Sequence, residues 1–417
     1  MEDVSNTFCI LPWIHMATVT DGSVIPCCIA KNENKLDLNK ITFQQAWNSK
    51  YYQDIRKAML SGNKVSACAH CYEEEKHGYK SHRIIENQEW LKKLGKEGVQ
   101  KRIDLTDSKG NLEAKWLSLD LRMGNNCNLQ CIMCRPHDST KWRHLAEQLA
   151  STADSISLRY EFKHKSQIDP ERFNWHRNPL FLNELHENLQ DIREIVLGGG
   201  EPMIIPEHRR LLEACVNTGA AKKIYLRYHT NGTILPTDIL DLWKEFSLVE
   251  VFLSIDGIGE RNHYMRYPSQ WSQIKENIRL LEDSKLSNLR VGILSTIHFL
   301  SLYYLPELLQ WIEEQEFKKV THGFNGYLHP GILHYPPYLS VKVYPVQVKE
   351  KITNQILSFE QRSRKPSNKI NGVLNLMNSS DESHLLSTTR DYLSKIDLAR
   401  GSSFPEVFPE LSKDIHF

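Results

Sequence analysis

The sequence predicts an α/β protein built on a parallel sheet, and two observations carry that expectation. From Trp116 onward, short runs rich in β-branched and aliphatic residues recur, namely WLSLDLR, REIVLGG, KIYLRYHT, VEVFLSID and LRVGILSTI, most of them ending in glycine or polar residues. Helix-like stretches separate these runs, and strand alternating with helix builds a parallel sheet that is either doubly wound or closed into a barrel. A sixth strand is expected near Lys319 to Gly323. The interval between residues 135 and 190 is long for one crossover and predicts an insertion.

The remaining elements fall on either side of that region. Residues 1–72 read as a small unit. In it IHMATV and SVIPCC flank Asp21-Gly22, a dipeptide suited to a two-residue hairpin turn. Thr42 with Gln45 has capping-box spacing, and Phe43, Ala46, Trp47, Ile55 and Met59 recur at helical intervals up to a stop at Gly62. Residues 73–115 are polar and charged, and EEEKHGYKSHRIIENQEWLKKLGKEG predicts a partly helical connecting segment. The alternating region spans 116–327. An extension over 328–417 carries aromatics, prolines and two helices expected at 346–362 and 383–399.

Composition narrows the function classes. The chain has 417 residues, a quarter of them charged, with a formal net charge of +1. A protein that coats nucleic acid or an anionic membrane carries a clear basic excess, which is missing here. No apolar run reaches the ~20 residues of a membrane helix, and the acidic start MEDVSNTFCIL lacks the character of a signal peptide. The expected location is the cytoplasm. Nine cysteines in a reducing compartment, an odd number, point to metal or redox chemistry for any clustered set.

The tightest set lies in LDLRMGNNCNLQCIMCRP, directly after the first strand of the alternating region. Cys127, Cys131 and Cys134 have C-x3-C-x2-C spacing in a loop at a strand's C-terminal end, where α/β folds place their chemistry. Three thiolates can hold three irons of a [4Fe–4S] cluster and leave the fourth open. The competing reading is a zinc knuckle short of one ligand; such sites more often pair C-x2-C with a nearby fourth Cys or His.

With these residues the chain resembles the radical S-adenosylmethionine (SAM) superfamily from residue 116 to roughly 327. LGGGEP at 197–202 is similar to the family's GGEP motif, YHTNGT to its TNG segment, and FLSIDG to its ribose-contacting strand end. The resemblance implies a partial (β/α)6 barrel, TIM-like and open on one side. It also implies cofactor contacts from Gly199, Gly200, Glu201, Pro202, Ser254, Asp256 and Arg266, and a SAM-binding cluster on Cys127, Cys131 and Cys134. Glycine at the GGEP turn would let backbone approach the SAM amino group. The activity implied is reductive cleavage of SAM to a 5′-deoxyadenosyl radical that abstracts a substrate hydrogen, with electrons from a flavodoxin or ferredoxin. Met133 stands where many relatives have an aromatic, and HFLSLYY where they often have an asparagine.

The dispersed cysteines resemble a second module. Cys9, Cys27, Cys68 and Cys71, in C-x2-PW, G-x4-C and C-x2-C contexts, are similar to the Twitch domain, the shorter relative of the SPASM domain. That resemblance implies one auxiliary [4Fe–4S] cluster with four protein ligands, in a module that in most relatives follows the barrel and here precedes it. Spacing alone also permits a four-cysteine zinc site. Cys28 falls on the opposite side from Cys27 if the chain is extended there. Cys215 reads as buried apolar filler.

Other residues give weaker signals. His70 lies inside the C-x2-C knuckle, and His137, His229 and His298 lie just past strand ends or the cysteine loop. Asp120 and Arg122 alternate with apolar residues along the first strand, as a structural ion pair or as side chains facing a barrel interior. No residue is singled out as a general base. The expected reaction is oxidation or crosslinking of a peptide or protein assisted by the auxiliary cluster. Alternatives are dehydrogenation of a small sugar or alcohol and, from another class, a non-enzymatic iron–sulfur carrier or scaffold.

Overall fold

Eight strands form one open sheet in the computed structural model of the chain, which describes residues 5–76, 80–113, 115–166, 168–320, 328–363 and 368–417. The strands are β1 (His15–Thr18), β2 (Val24–Ile25), β3 (Ser118–Arg122), β4 (Glu194–Gly198), β5 (Tyr225–Thr230), β6 (Leu248–Ser254), β7 (Leu289–Ile297) and β8 (Leu328–Ile332). Their order is β2-β1-β3-β4-β5-β6-β7-β8, so the sheet ends on β2 and β8 and does not close. β2 runs antiparallel to β1; the pairs β1–β3, β3–β4, β6–β7 and β7–β8 are parallel. This is a partial barrel with the expected α/β alternation.

Helices α1 (Phe43–Trp47), α2 (Lys50–Leu60), α3 (Ala69–Lys76) and α4 (His82–Asp104) precede β3. The insertion before β4 holds α5 (Trp142–Thr152), α6 (Ile156–Ser166) and α7 (Pro179–Asn188). Crossovers follow as α8 (Pro206–Asn217), α9 (Thr237–Trp243), α10 (Gly259–Met265), α11 (Trp271–Glu282) and α12 (Leu305–Glu314). The C-terminal part is helical, with α13 (Val346–Arg362), α14 (Asn368–Asn378), α15 (Leu386–Arg400), α16 (Phe404–Val407) and α17 (Pro409–Asp414). The chain divides into two compact units, one of residues 1–125, 169–227 and 245–247, the other of residues 126–168, 228–244 and 248–417.

In the first unit the N-terminal hairpin is part of the sheet. β1 lies beside β3 with His15 opposite Ser118 and Ala17 opposite Asp120, and β3 lies beside β4 with Ser118 opposite Glu194. Side chains alternate across a strand, so Ser118, Asp120 and Arg122 share one face of β3 while Leu119 and Leu121 pack on the other. Glu194 continues the polar face and is paired with Lys93 of α4 at 2.8 Å and Arg227 of β5 at 3.3 Å. Helix α4 also holds the N-terminus: Asn87 accepts from the Ile10 amide and donates to the Phe8 carbonyl, which Arg83 also reaches.

Two local expectations are revised. The hairpin turn has three residues, not two. The Gly22 amide donates to the Val19 carbonyl, the Val19 amide donates to the Ser23 carbonyl, and Gly22 takes φ +86° as the left-handed residue that closes the loop. A Cβ on Gly22 would lie 2.8 Å from Cγ of Trp175. The single helix expected after Thr42 is two. Thr42 and Gln45 form the capping box of α1, and Ser49 restarts the chain by accepting the Tyr52 amide, a local side-chain bond that competes with helix continuation. The sixth strand expected near Lys319 to Gly323 falls mostly (321–323) outside the described residues; Val320 makes an isolated parallel bridge to Val291, and the next described strand is β8. In the charged segment His77, Gly78 and Tyr79 also lie outside them.

In the second unit β6, β7 and β8 carry the sheet, with α10, α11 and α12 as crossovers and α13 to α17 packed beyond. The two helices expected in the extension coincide with α13 and with α15 and the turn before it. Among the described residues no helix is long and apolar enough to cross a membrane.

Candidate functional site: two sets of cysteines

In the first unit Cys9, Cys27, Cys68 and Cys71 line one cavity, with Leu11, Ile29, Ala30, Ala67, His70, His82 and Arg83 completing the wall. Cys9 lies just before β1 and Cys27 just after β2, so the hairpin returns the second cysteine toward the first. Cys68 ends the 3-10 turn Ser66–Cys68 and Cys71 sits in the first turn of α3. Backbone amides of Leu11, Ile29 and Arg83 approach the sulfurs of Cys9, Cys27 and Cys71. Burial pushes all four thiols above their ordinary range, Cys68 to about 12. A metal must displace those protons to bind. Four sulfurs around an apolar hollow, with amides directed at sulfur, fit a cluster held by thiolates.

Cys28 does not line this cavity. It is exposed, with its sulfur 3.9 Å from Nε2 of His82. His70 does line it, and its Nε2 lies 3.2 Å from a Glu74 carboxylate oxygen. Asp120 is buried; its Oδ1 accepts no hydrogen bond and lies 3.6 Å from Nε of Arg122. His15, on the same polar face, is held neutral by burial, with a pKa lowered to about 4. Cys215 is fully buried on α8.

The GGGEP turn is also in the first unit, after β4. Gly199 has φ +93°, and a Cβ there would come within 3.0 Å of the Arg122 backbone and the Gly124 carbonyl. The Gly200 amide donates to that same carbonyl at 3.1 Å. Glycine is therefore required for the close approach of the β3 and β4 ends. Glu201 is completely buried and accepts the Met203 amide at 3.1 Å, with Pro202 opening the short 3-10 turn that follows.

In the second unit Cys127, Leu129 and Cys131 form a buried cluster against which Met133 and Cys134 pack. The Leu129 amide lies 3.4 Å from the Cys127 sulfur and Nδ2 of Asn231 lies 3.9 Å from it. Asn231, in the TNG segment, also donates to Asn128 at 2.9 Å. A hydrogen bond from Cys134 holds the Cys131 thiol below its ordinary value and raises Cys134 in turn, and Arg266 adds to the lowering at Cys131. Nη1 of Arg266 is 4.0 Å from the Cys131 sulfur, and its Nε and Nη2 reach Asp256 at 2.7 and 3.1 Å. The Thr296 amide donates to Asp256 at 2.7 Å. Ser254 ends β6 two residues earlier. Amide and cation directed at sulfur suit a thiolate-held cluster here too. Among the described residues no group of three or more His, Cys, Asp or Glu converges on a single-ion site.

The histidines diverge. His298 is fully buried, accepts the Leu300 amide at Nδ1, and is lowered to about 4 by burial. His229 is half-buried and stacks on Phe252 at 5.2 Å. Sequence reasoning did not find Asn231 as a sulfur neighbour, nor the Asp256–Arg266 ion pair. It also missed Arg135 and Arg400, whose partners are remote in sequence.

An open parallel sheet with a three-cysteine loop after a strand, and four more cysteines around one cavity, defines an α/β iron–sulfur protein. Residues 121–312 match the family model of the radical SAM superfamily, and residues 9–72 match an iron–sulfur cluster-binding domain, SPASM. Residues 121–312 therefore carry a radical SAM domain and residues 9–72 a SPASM-type domain, and the two matches together imply SAM and [4Fe–4S] clusters as cofactors. No curated protein sequence matches it. Among solved structures it is similar to anSMEcpe with bound AdoMet and Cp18Cys peptide, at 17% identity and TM-score 0.38 over 61% of each chain. It is similar to SuiB of Streptococcus suis bound to S-adenosylmethionine, at 14% identity and TM-score 0.37 over 74% of this chain and 64% of that one. TYW1 with a lysine-pyruvate adduct follows at 13% identity and TM-score 0.30, over 59% and 72%. The chain spans about three fifths of the length of the first of these structures.

Proposed function

We propose that the chain is a radical SAM enzyme that oxidises or crosslinks a peptide or protein substrate, with one auxiliary cluster in its N-terminal domain. The observation that carries this reading is the pairing of two unlike cysteine sets. One is a three-cysteine loop, which would leave one iron of a cluster open; the other is a cavity lined by four thiols, which would close a cluster to further ligands. Cys127, Cys131 and Cys134 would hold the SAM cluster; Cys9, Cys27, Cys68 and Cys71 would hold the auxiliary one. When bound, SAM and its cluster supply a carbon-centred radical that removes hydrogen from substrate.

The chain's own residues do the rest. Gly199, Gly200, Glu201 and Pro202 offer backbone groups to SAM, and Ser254 and Asp256 offer oxygens for its ribose. Arg266 pairs with Asp256 and places a cation beside Cys131. Asp120, buried with an oxygen that accepts no hydrogen bond, is the carboxylate suited to receive a substrate proton. The reductant is a flavodoxin or ferredoxin and the location cytoplasmic.

The test is anaerobic reconstitution followed by SAM and dithionite. Release of 5′-deoxyadenosine by the wild-type chain and its loss in Cys127→Ala, Cys131→Ala and Cys134→Ala variants is the expected result. Absence of deoxyadenosine, with or without candidate peptides, would favour a carrier or scaffold instead.

A further inference from the structure

We propose that α15 is a working part of the SAM-cluster site, with Tyr392 and Arg400 as positioning residues that hold the Cys127–Cys134 loop and set the charge beside it. The inference rests on the assignment of that loop to a cluster. It concerns a helix outside the residues matched by the superfamily model.

A loop carries backbone groups that no ladder satisfies, and buried ones need partners. In this loop the partners can be followed one by one. The Gln130 and Ile132 amides donate to the Tyr267 and Met265 carbonyls at 2.6 and 2.8 Å. Ser139 donates to the Leu129 carbonyl at 2.6 Å and Trp142 to the Cys131 carbonyl at 2.9 Å. The Gln130 and Ile132 carbonyls are reached from α15, the latter shared with Nη1 of Arg135 at 3.3 Å. Tyr392 donates to Ile132 at 2.6 Å, and Arg400 donates to Gln130. These contacts join positions more than 250 residues apart in sequence, Arg400 and Gln130 by 270.

Both residues are themselves held in place. The Tyr392 ring is one of four, with Trp142, Phe162 and Tyr338, that surround the Arg135 guanidinium at 5.1 to 5.7 Å. Arg135 in turn donates to the Cys134 carbonyl at 2.6 Å and to Glu161 at 2.7 Å. Arg400, in the last turn of α15, also reaches the Tyr264 carbonyl at 3.1 Å and stacks over Tyr267 at 4.8 Å. Its neighbour Gln130 precedes Cys131, so a fixed positive charge is held one residue from a cysteine whose sulfur would carry negative charge in the bound cluster. Charge and hydrogen bonding around the sulfurs are what set a cluster's potential.

The experiment compares wild type with Tyr392→Phe, Arg400→Gln and Arg400→Lys in the full reconstituted chain. Electron paramagnetic resonance follows each cluster separately, and the auxiliary signal reports in the same sample that the chain is folded. Arg400→Gln is expected to move the SAM-cluster midpoint potential to more negative values and to speed loss of that cluster to a chelator by ~10-fold or more. Arg400→Lys should restore the potential but not the chelator resistance. Tyr392→Phe keeps the ring and should speed chelator loss at unchanged potential, which keeps the proposal falsifiable if Arg400→Gln does not fold. Wild-type potential in Arg400→Gln, or wild-type chelator resistance in Tyr392→Phe, overturns the proposal. A wild-type SAM-cluster spectrum indifferent to added SAM would instead overturn the cluster assignment on which the proposal rests.

Discussion

Adjacent cysteines 27 and 28 separate by environment. Cys27 is buried and lines the four-cysteine cavity, whereas Cys28 is exposed beside His82. Cys27→Ala is expected to lower bound iron by about one [4Fe–4S] equivalent, about four atoms, and Cys28→Ala to leave iron content unchanged; iron and sulfide analysis distinguishes them. At the other site, Asp256 and Arg266 form a buried pair. Asp256→Asn removes one partner and leaves the guanidinium charge buried, so chemical denaturation should show a loss of about 3–5 kcal/mol. The cysteine loop was legible because its chemistry is written in two short spacings, Cys127 to Cys131 and Cys131 to Cys134. Arg266 and Asp256 could be placed only by resemblance, and their pairing not at all, because nothing local marks an ion pair. Arg56, fully buried over the Trp47 ring at 4.4 Å and donating to the Pro12 carbonyl at 2.9 Å, gave no sequence signal either.

At the scale of elements, the hairpin before Cys27 depends on its turn. Gly22 takes a left-handed conformation against Trp175, so Gly22→Ala combines backbone strain with a clash. Thermal or denaturant unfolding should show a destabilisation of about 1–3 kcal/mol. The strands were readable from their β-rich runs, and the α1 cap from Thr42 and Gln45. The break at Ser49 was not, since the apolar spacing continues across it and masks the local cap that Ser49 forms with the Tyr52 amide. Nor was the pairing of β1 with β3, which joins segments a hundred residues apart through a register set by His15 and Ser118. Periodicity reports which face of a strand is buried; it carries no information on which strand lies next to it.

For the whole molecule, buried histidines tie stability to pH. Burial lowers His15, His208 and His298 to about 4, below the ordinary value of 6.5. Between those values the unfolded chain binds more protons than the folded one, so stability falls as pH drops from about 6.5 toward 4 and these groups contribute no further loss below that. Unfolding midpoints across that range should show the decline. The central claim, two clusters of different kind on one chain, is tested most directly by Mössbauer and paramagnetic resonance spectroscopy of reconstituted protein. The wild-type chain should hold about eight irons and the Cys127→Ala/Cys131→Ala/Cys134→Ala chain about four, with SAM altering the spectrum of the first only. A wild-type chain with a single cluster, or a triple variant whose remaining iron still responds to SAM, would contradict the account.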